Sequence, residues 1–115
     1  MQKSFFRLKL LFTILLVWLG IPTRGQLRYE WLTTSNGLSQ GYIFDILQDS
    51  DGFMWFSTKA GLNRYDGYTF KVFAHEAYNT NTISSNVIND LFEDSKGRLW
   101  IGTEDNGLNV YDKTK

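Results

Sequence analysis

The stretch Asp90-Leu-Phe-Glu-Asp-Ser-Lys-Gly-Arg-Leu-Trp-Ile-Gly-Thr-Glu-Asp-Asn-Gly-Leu-Asn-Val-Tyr-Asp112 decides the fold, because a version of it begins 45 residues earlier at Asp45. When Leu38–Asp66 is set against Ile83–Asp112, with the offset growing from 45 to 46 at an extra Asn106, 13 of 29 aligned pairs are identical. The shared residues include Ser39/Ser84, Asp45/Asp90, Asp49/Asp94, Gly52/Gly97, Trp55/Trp100, Gly61/Gly107, Asn63/Asn109 and Tyr65/Tyr111. A period of this length, in units of short apolar runs punctuated by glycine, is the signature of a propeller blade.

Each unit reads as strands and turns. Ile43–Gln48 and Ile88–Glu93 are apolar-rich runs that stop at Asp-Ser-Asp-Gly or Asp-Ser-Lys-Gly. There the Asp and Ser side chains can hydrogen-bond the turn backbone and the glycine can take a positive φ. Met54–Thr58 and Leu99–Thr103 follow as second strands carrying the tryptophans, and turns at Ala60-Gly61 and Asn106-Gly107 lead into Leu62–Tyr65 and Leu108–Tyr111. Asp66-Gly67 is a further turn signal, after which Thr69–Phe73 reads as a fourth, outermost strand.

The pattern Ile-x-Asp-x-x-x-Asp-Ser-x-Gly-x-x-Trp-x-x-Thr, followed by Gly-Leu-Asn-x-Tyr-Asp, resembles the two-component regulator propeller repeat. The resemblance covers about residues 27–115. It implies the extracytoplasmic sensor of a hybrid two-component histidine kinase, a class that in glycan-utilising bacteria governs polysaccharide uptake and degradation. It further implies further blades and downstream signalling domains of the same protein as partners, an oligosaccharide as ligand, and a homodimer for the full-length form. The location it implies is periplasmic, with the whole protein anchored in the inner membrane.

The chain opens with Lys3, Arg7 and Lys9 ahead of the mostly apolar Leu10–Ile21, then Pro22-Thr23-Arg24-Gly25-Gln26. This is a secretory signal peptide in form, with small residues placed for a cut before Gln26. The apolar run is shorter than the roughly 20 residues a spanning helix needs. Of 12 basic residues, Lys3, Arg7, Lys9 and Arg24 leave with such a leader while all 12 acids stay, so 8 basic and 12 acidic residues give the remainder about −4. That balance offers no basic patch for nucleic acid or an anionic membrane. With no cysteine, stability rests on packing rather than disulfides.

The expected fold class is all-β: a β-propeller fragment of about two four-stranded antiparallel blades, the second incomplete, after a signal peptide. The divisions are a signal peptide at 1–25, an orphan outer strand (Tyr29–Leu32) and link at 26–37, blade 1 at 38–73, an inter-blade link at 74–82 and blade 2 at 83–115. Propellers close with roughly four to eight blades, so two blades are expected to be the opening piece of a longer ring. Tyr29–Leu32 is then expected to complete the last blade.

Most recurrent residues read as parts of the repeat. Asp49, Gly52, Asp94 and Gly97 belong to turns, since a calcium loop would want a further oxygen ligand at Phe53 and the second copy has Lys96 for Asp51. Trp55 and Trp100, at one strand position in both units, suit burial between blades better than sugar stacking. Gly61, Gly107, Asn63, Asn109, Tyr65 and Tyr111 recur at fixed spacing and read as structural. Asp45 and Asp90 would line the channel of a ring as a polar girdle. His75 is the only histidine, and no catalytic set or metal cluster can be assembled around it, so no catalytic residue, metal or cofactor is expected.

Function has room where the repeats differ. The second-to-third turns and the inter-blade links share one end of the blades, and there Lys59 and Ala60 stand against Glu104, Asp105 and Asn106, beside the long link Ala74–Ser84. The ligand-binding candidates are accordingly Lys59, His75, Tyr78, Asn79, Glu104, Asp105 and Asn106. The reading is a ligand-sensing module without an enzyme activity of its own. The alternatives are an exported propeller enzyme or carbohydrate-binding protein without a kinase, or a nonfunctional gene fragment.

Overall fold

The computed structural model describes Gly25 and residues 27–115, which fall into two compact units, Met1–Glu30 and Trp31–Lys115. Apart from Gly25, the expected signal peptide lies outside the described residues. In the first unit the described positions 27–30 are exposed and carry no regular secondary structure. Among the described residues no helix is long and apolar enough to cross a membrane.

The second unit begins with a single 3-10 turn, Thr34–Asn36, and then holds two antiparallel sheets. The first is β1 (Asp45–Gln48), β2 (Met54–Thr58), β3 (Gly61–Tyr65) and β4 (Phe70–Phe73), paired in chain order. The second is β5 (Ile88–Glu93), β6 (Leu99–Thr103) and β7 (Leu108–Tyr111), also paired in chain order. These are the two expected blades, the second with three strands. β1 starts two residues later than the sequence suggested, at Asp45 rather than Ile43. Tyr29–Leu32 forms no strand; Tyr29 and Trp31 are exposed and the stretch joins neither sheet. A strand is stabilised by a partner for its backbone groups, and β1–β4 already pair with one another.

The repeated Asp-x-x-Gly-x-x-Trp spacing has a direct physical cause. Asp49 Oδ1 accepts from the N–H groups of Asp51 and Phe53, both at 2.9 Å, closing the β1–β2 turn, while Oδ2 accepts from Trp55 Nε1 at 2.8 Å. Asp94 repeats the set with Lys96 N at 2.9 Å, Arg98 N at 3.0 Å and Trp100 Nε1 at 2.9 Å. One carboxylate thus ties the turn to the ring six residues on. Asn63 and Asn109 do the same for the inter-blade connections. Asn63 Oδ1 accepts from Ser39 N at 2.9 Å and its Nδ2 donates to Ser39 Oγ at 2.7 Å, and Asn109 holds Ser84 N at 3.1 Å and Ser84 Oγ at 2.8 Å.

Strand alternation gives each blade two faces. The cross-strand register puts Leu47, Trp55, Leu62 and Phe73 on one face of blade 1. In blade 2 it puts Leu91, Leu99 and Ile101 on the face of opposite sense. These two faces meet and form the core, in which Trp55, Leu62, Ile88, Leu99 and Ile101 are almost fully buried. Trp55 packs against Phe73 and Tyr111 at ring-centroid distances of 5.6 and 6.0 Å, and the Arg64 guanidinium lies 4.6 Å from the Phe53 ring centre. Trp100 departs from the expectation of burial. It sits on the other face of blade 2, half-buried, because among the described residues no second sheet lies over it.

Polar contacts fasten the same interface. Asp45 Oδ2 accepts from Leu91 N at 2.8 Å, and Gly61 N donates to Asn86 O at 2.7 Å. Asp45 therefore braces the neighbouring blade instead of serving only as a channel-lining carboxylate, as the sequence reading had it. Lys113 Nζ stands 3.0 Å from Asp51 Oδ2, 3.4 Å from Asp49 Oδ2 and 3.8 Å from Glu93 Oε1, and Glu93 Oε2 accepts from Ser50 N at 2.8 Å. Burial works against the charge of Asp49, but its bonds from Trp55, Phe53 and Lys113 outweigh this and hold the carboxyl below its ordinary value.

Candidate functional site

The antiparallel order places the β2–β3 and β6–β7 turns and the link 74–84 at one end of the blades. The link is ordered by its own side chains. His75 N donates to Asn86 Oδ1 at 2.7 Å, and His75 Nδ1 lies 2.8 Å from the Ile83 carbonyl, which makes Nδ1 the donor and, in the neutral ring, leaves Nε2 an acceptor. Asn79 Nδ2 donates to Glu76 Oε2 at 2.9 Å, while Asn79 Oδ1 accepts from Asn81 N at 3.1 Å and the Asn79 carbonyl from Thr82 Oγ1 at 3.0 Å. At the apex Tyr78 holds φ of 65°, a left-handed conformation uncommon outside glycine, and its ring is fully exposed.

An open concavity of about 510 Å³ lies against this link, lined by His75, Tyr78 and Asn79 together with Asn106 and Asn109. A second, of about 460 Å³, continues over the shared residues Glu76, Thr80 and Thr82 toward Phe73 and Tyr111. Four of the seven candidates, His75, Tyr78, Asn79 and Asn106, thus line one depression. Glu104 and Asp105 lie in the adjoining β6–β7 turn, where Glu104 N donates to Val87 O at 3.1 Å and Asp105 Oδ1 accepts from Ser85 Oγ at 2.8 Å. Lys59 is apart from them. Its ammonium sits 5.7 Å from the Phe44 ring centre and its N–H donates to Gln40 Oε1 at 3.1 Å.

Sequence reasoning did not single out Glu76, Thr80 and Thr82, which line both depressions. Their only signal was membership of the divergent link. Asn106 presents two features: it is the single inserted residue between the repeats, and its Nδ2 donates to Ser84 O at 3.1 Å, tying the turn to the link. The depression is thus open, bordered by polar side chains, and rimmed by one exposed aromatic ring.

Two stacked antiparallel sheets of repeated sequence define a β-propeller module. Residues 37–60 and 82–105 match the model of the family described as "Two component regulator propeller". The two segments that match that repeat end at the β2–β3 and β6–β7 turns. Histidine kinase P4 of Formosa agariphila is 39% identical over 55 residues, 48% of this chain and 4% of that protein. The extracellular domain of the hybrid two component system BT3049 from B. thetaiotaomicron superimposes with a TM-score of 0.68 at 34% identity, over 74% of this chain and 12% of that one. The chain spans a small part of the length of both relatives.

Proposed function

We propose that these blades form part of the extracytoplasmic sensor of a hybrid two-component system, exported by the leader at 1–25. In this reading they contact a glycan-derived ligand at the link end and pass the event to kinase and response-regulator domains of the same protein. The observation that carries the ligand reading is the fully exposed Tyr78 ring, held in a left-handed backbone conformation on the rim of a depression lined by His75, Asn79 and Asn106. A sugar ring offers C–H faces to an aromatic ring and hydroxyls to amides and to an imidazole acceptor. Similarity to a histidine kinase and to the extracellular domain of a hybrid two component system supports the signalling part. These blades act as a binding module, and any phosphotransfer belongs to other domains.

The test is calorimetric titration of the full chain with a defined panel of plant and algal oligosaccharides. One class is expected to bind, Tyr78→Ala to weaken it about tenfold or more while leaving the melting temperature in place, and His75→Ala to weaken it as well. Binding unchanged in both variants would move the ligand away from the link.

A further inference from the structure

The segment 84–87, where the link enters blade 2, is bonded on three sides. Ser84 Oγ donates to the Asn106 carbonyl at 2.9 Å and Ser85 Oγ to Asp105 Oδ1 at 2.8 Å, so the β6–β7 turn holds the segment within blade 2. Asn86 supplies the other two sides. Its Oδ1 accepts from His75 N and its backbone carbonyl from Gly61 N, both at 2.7 Å. The first bond closes the base of the link, and the second crosses the seam between the blades to the β2–β3 turn.

Between these bonds the link is a loop tied to itself. Thr82 Oγ1 accepts from Glu76 N at 3.1 Å and donates to the Asn79 carbonyl at 3.0 Å, and His75 Nδ1 donates to Ile83 O at 2.8 Å. Whatever orders or loosens this loop therefore acts on its base at His75 and Asn86. The other two hydrogen bonds described across the seam, Ser50 to Glu93 and Leu91 to Asp45, end on residues outside the link. The repeat does not supply the connection by itself. The position aligned with Asn86 in blade 1 is Gly41, which has no side chain to close such a base.

We propose that Asn86 is a positioning residue that couples the order of the link to the opening of the seam between blades 1 and 2. Its amide is fixed by the His75 N–H, and the fixed amide sets where its carbonyl meets the Gly61 N–H. Two sites are coupled when one element carries both of their contacts, and here a single residue does so. A sugar that orders the link at His75 and Tyr78 then tightens the seam, a use that rests on the ligand reading above. The coupling itself does not need a ligand.

Amide hydrogen exchange of the full chain, read at Gly61, tests this. Gly61 is buried and its N–H exchanges when the seam opens locally, whereas Asn86 is exposed and outside the core, so its replacement leaves the packing between the blades in place. Asn86→Ala is expected to speed Gly61 exchange about threefold or more, and Asn86→Asp, which keeps an oxygen at the acceptor position, to return it toward the wild-type rate. Thr82→Ala, which breaks bonds inside the link, should speed Gly61 exchange about threefold or more when Asn86 is present and add nothing in the Asn86→Ala background. The Ser39 N–H, held by Asn63 within blade 1 at 2.9 Å, reports global unfolding and should keep its rate throughout. A purely structural Asn86 would let the two substitutions act independently. Equal effects of Thr82→Ala in both backgrounds, Gly61 exchange unmoved by Asn86→Ala, or a Ser39 rate that rises in step with Gly61 would each overturn the proposal. Failure of every oligosaccharide to bind would strike the ligand reading and leave this result standing, since the cycle uses none.

Discussion

Trp55 and Trp100 occupy one position of one repeat, donate to equivalent aspartates at 2.8 and 2.9 Å, and have different surroundings. Trp55 has no exposed surface and lies under the Tyr111 and Phe73 rings, with Leu99 and Ile101 in the same buried cluster. Trp100 keeps the bond to its turn but, among the described residues, has no sheet above it. The comparison separates what a repeat makes by itself from what it makes with a neighbour. The Asp-turn-Trp lock and the Asn-Ser lock form within one unit. The core is a property of pairs.

The largest effect should come from breaking the pair. Trp55→Ala is expected to cost about 3–5 kcal/mol in denaturant titration, the range for a large aromatic removed from a core. Trp100→Ala should cost about 1–2 kcal/mol in dilute solution, reflecting a lost hydrogen bond and partial burial. Equal losses for the two would mean that the Trp100 face is covered under the conditions measured.

Gly61 and Gly107 extend the comparison to the third strand. Both hold a positive φ, 113° and 74°, but a Cβ at Gly61 would stand 2.6 Å from the Phe73 carbonyl oxygen of β4, whereas one at Gly107 meets nothing within 4 Å. Gly107→Ala should therefore carry only the left-handed backbone penalty, about 1 kcal/mol. Gly61→Ala adds displacement of β4, for about 3 kcal/mol in all. The fourth strand makes the difference, and similar melting temperatures for the two variants would show β4 to be loosely held.

What was legible in the sequence follows the same division. Six of the seven strands match their expected bounds or differ by one residue, because turn chemistry at Asp49-Gly52, Asp66-Gly67 and Asp94-Gly97 is local and was written twice or nearly so. Ile43 and Phe44 look as strand-like as Ile88, yet only the latter is in a strand: Ile88 pairs with Thr103 and is fully buried. The tryptophan positions were legible; that only one would be buried was not, since burial depends on which sheet lies across it. Asp45 looked like a channel residue because a single repeat cannot display the backbone N–H of the next. At the site, divergence between repeats drew attention to the link and to Asn106, but it could not separate Lys59, which lies beside Phe44, from His75 and Tyr78 on the depression.

The smallest expected effect is on pH dependence, and it distinguishes the two aspartate locks. The indole bond of Trp100, then the Arg98 N–H and side chain, hold Asp94 well below the ordinary aspartate value of 3.8 against the opposing effect of burial. Asp49 is also lowered, with burial opposing and Trp55, Phe53 and Lys113 prevailing. A carboxyl depressed on folding stabilises the fold above its unfolded pKa and loses that contribution as pH falls toward the folded value, because the unfolded chain takes up the proton first. Stability should thus fall as pH drops below about 4. Lys113 acts in the opposite direction: burial opposes its charge, but Asp51, Asp49 and Glu93 raise it above 10.5, so its contribution holds below that pH and is lost as pH rises through the folded value. Between those limits these groups give a flat profile. Melting curves of Asp94→Asn should show a shallower acid limb with the alkaline limb intact. Those of Asp49→Asn should show both limbs softened, because of these two aspartates only Asp49 shares its charge with a lysine of the other blade. Acid limbs unchanged in both variants would mean that neither lock persists as an ionised carboxylate in solution.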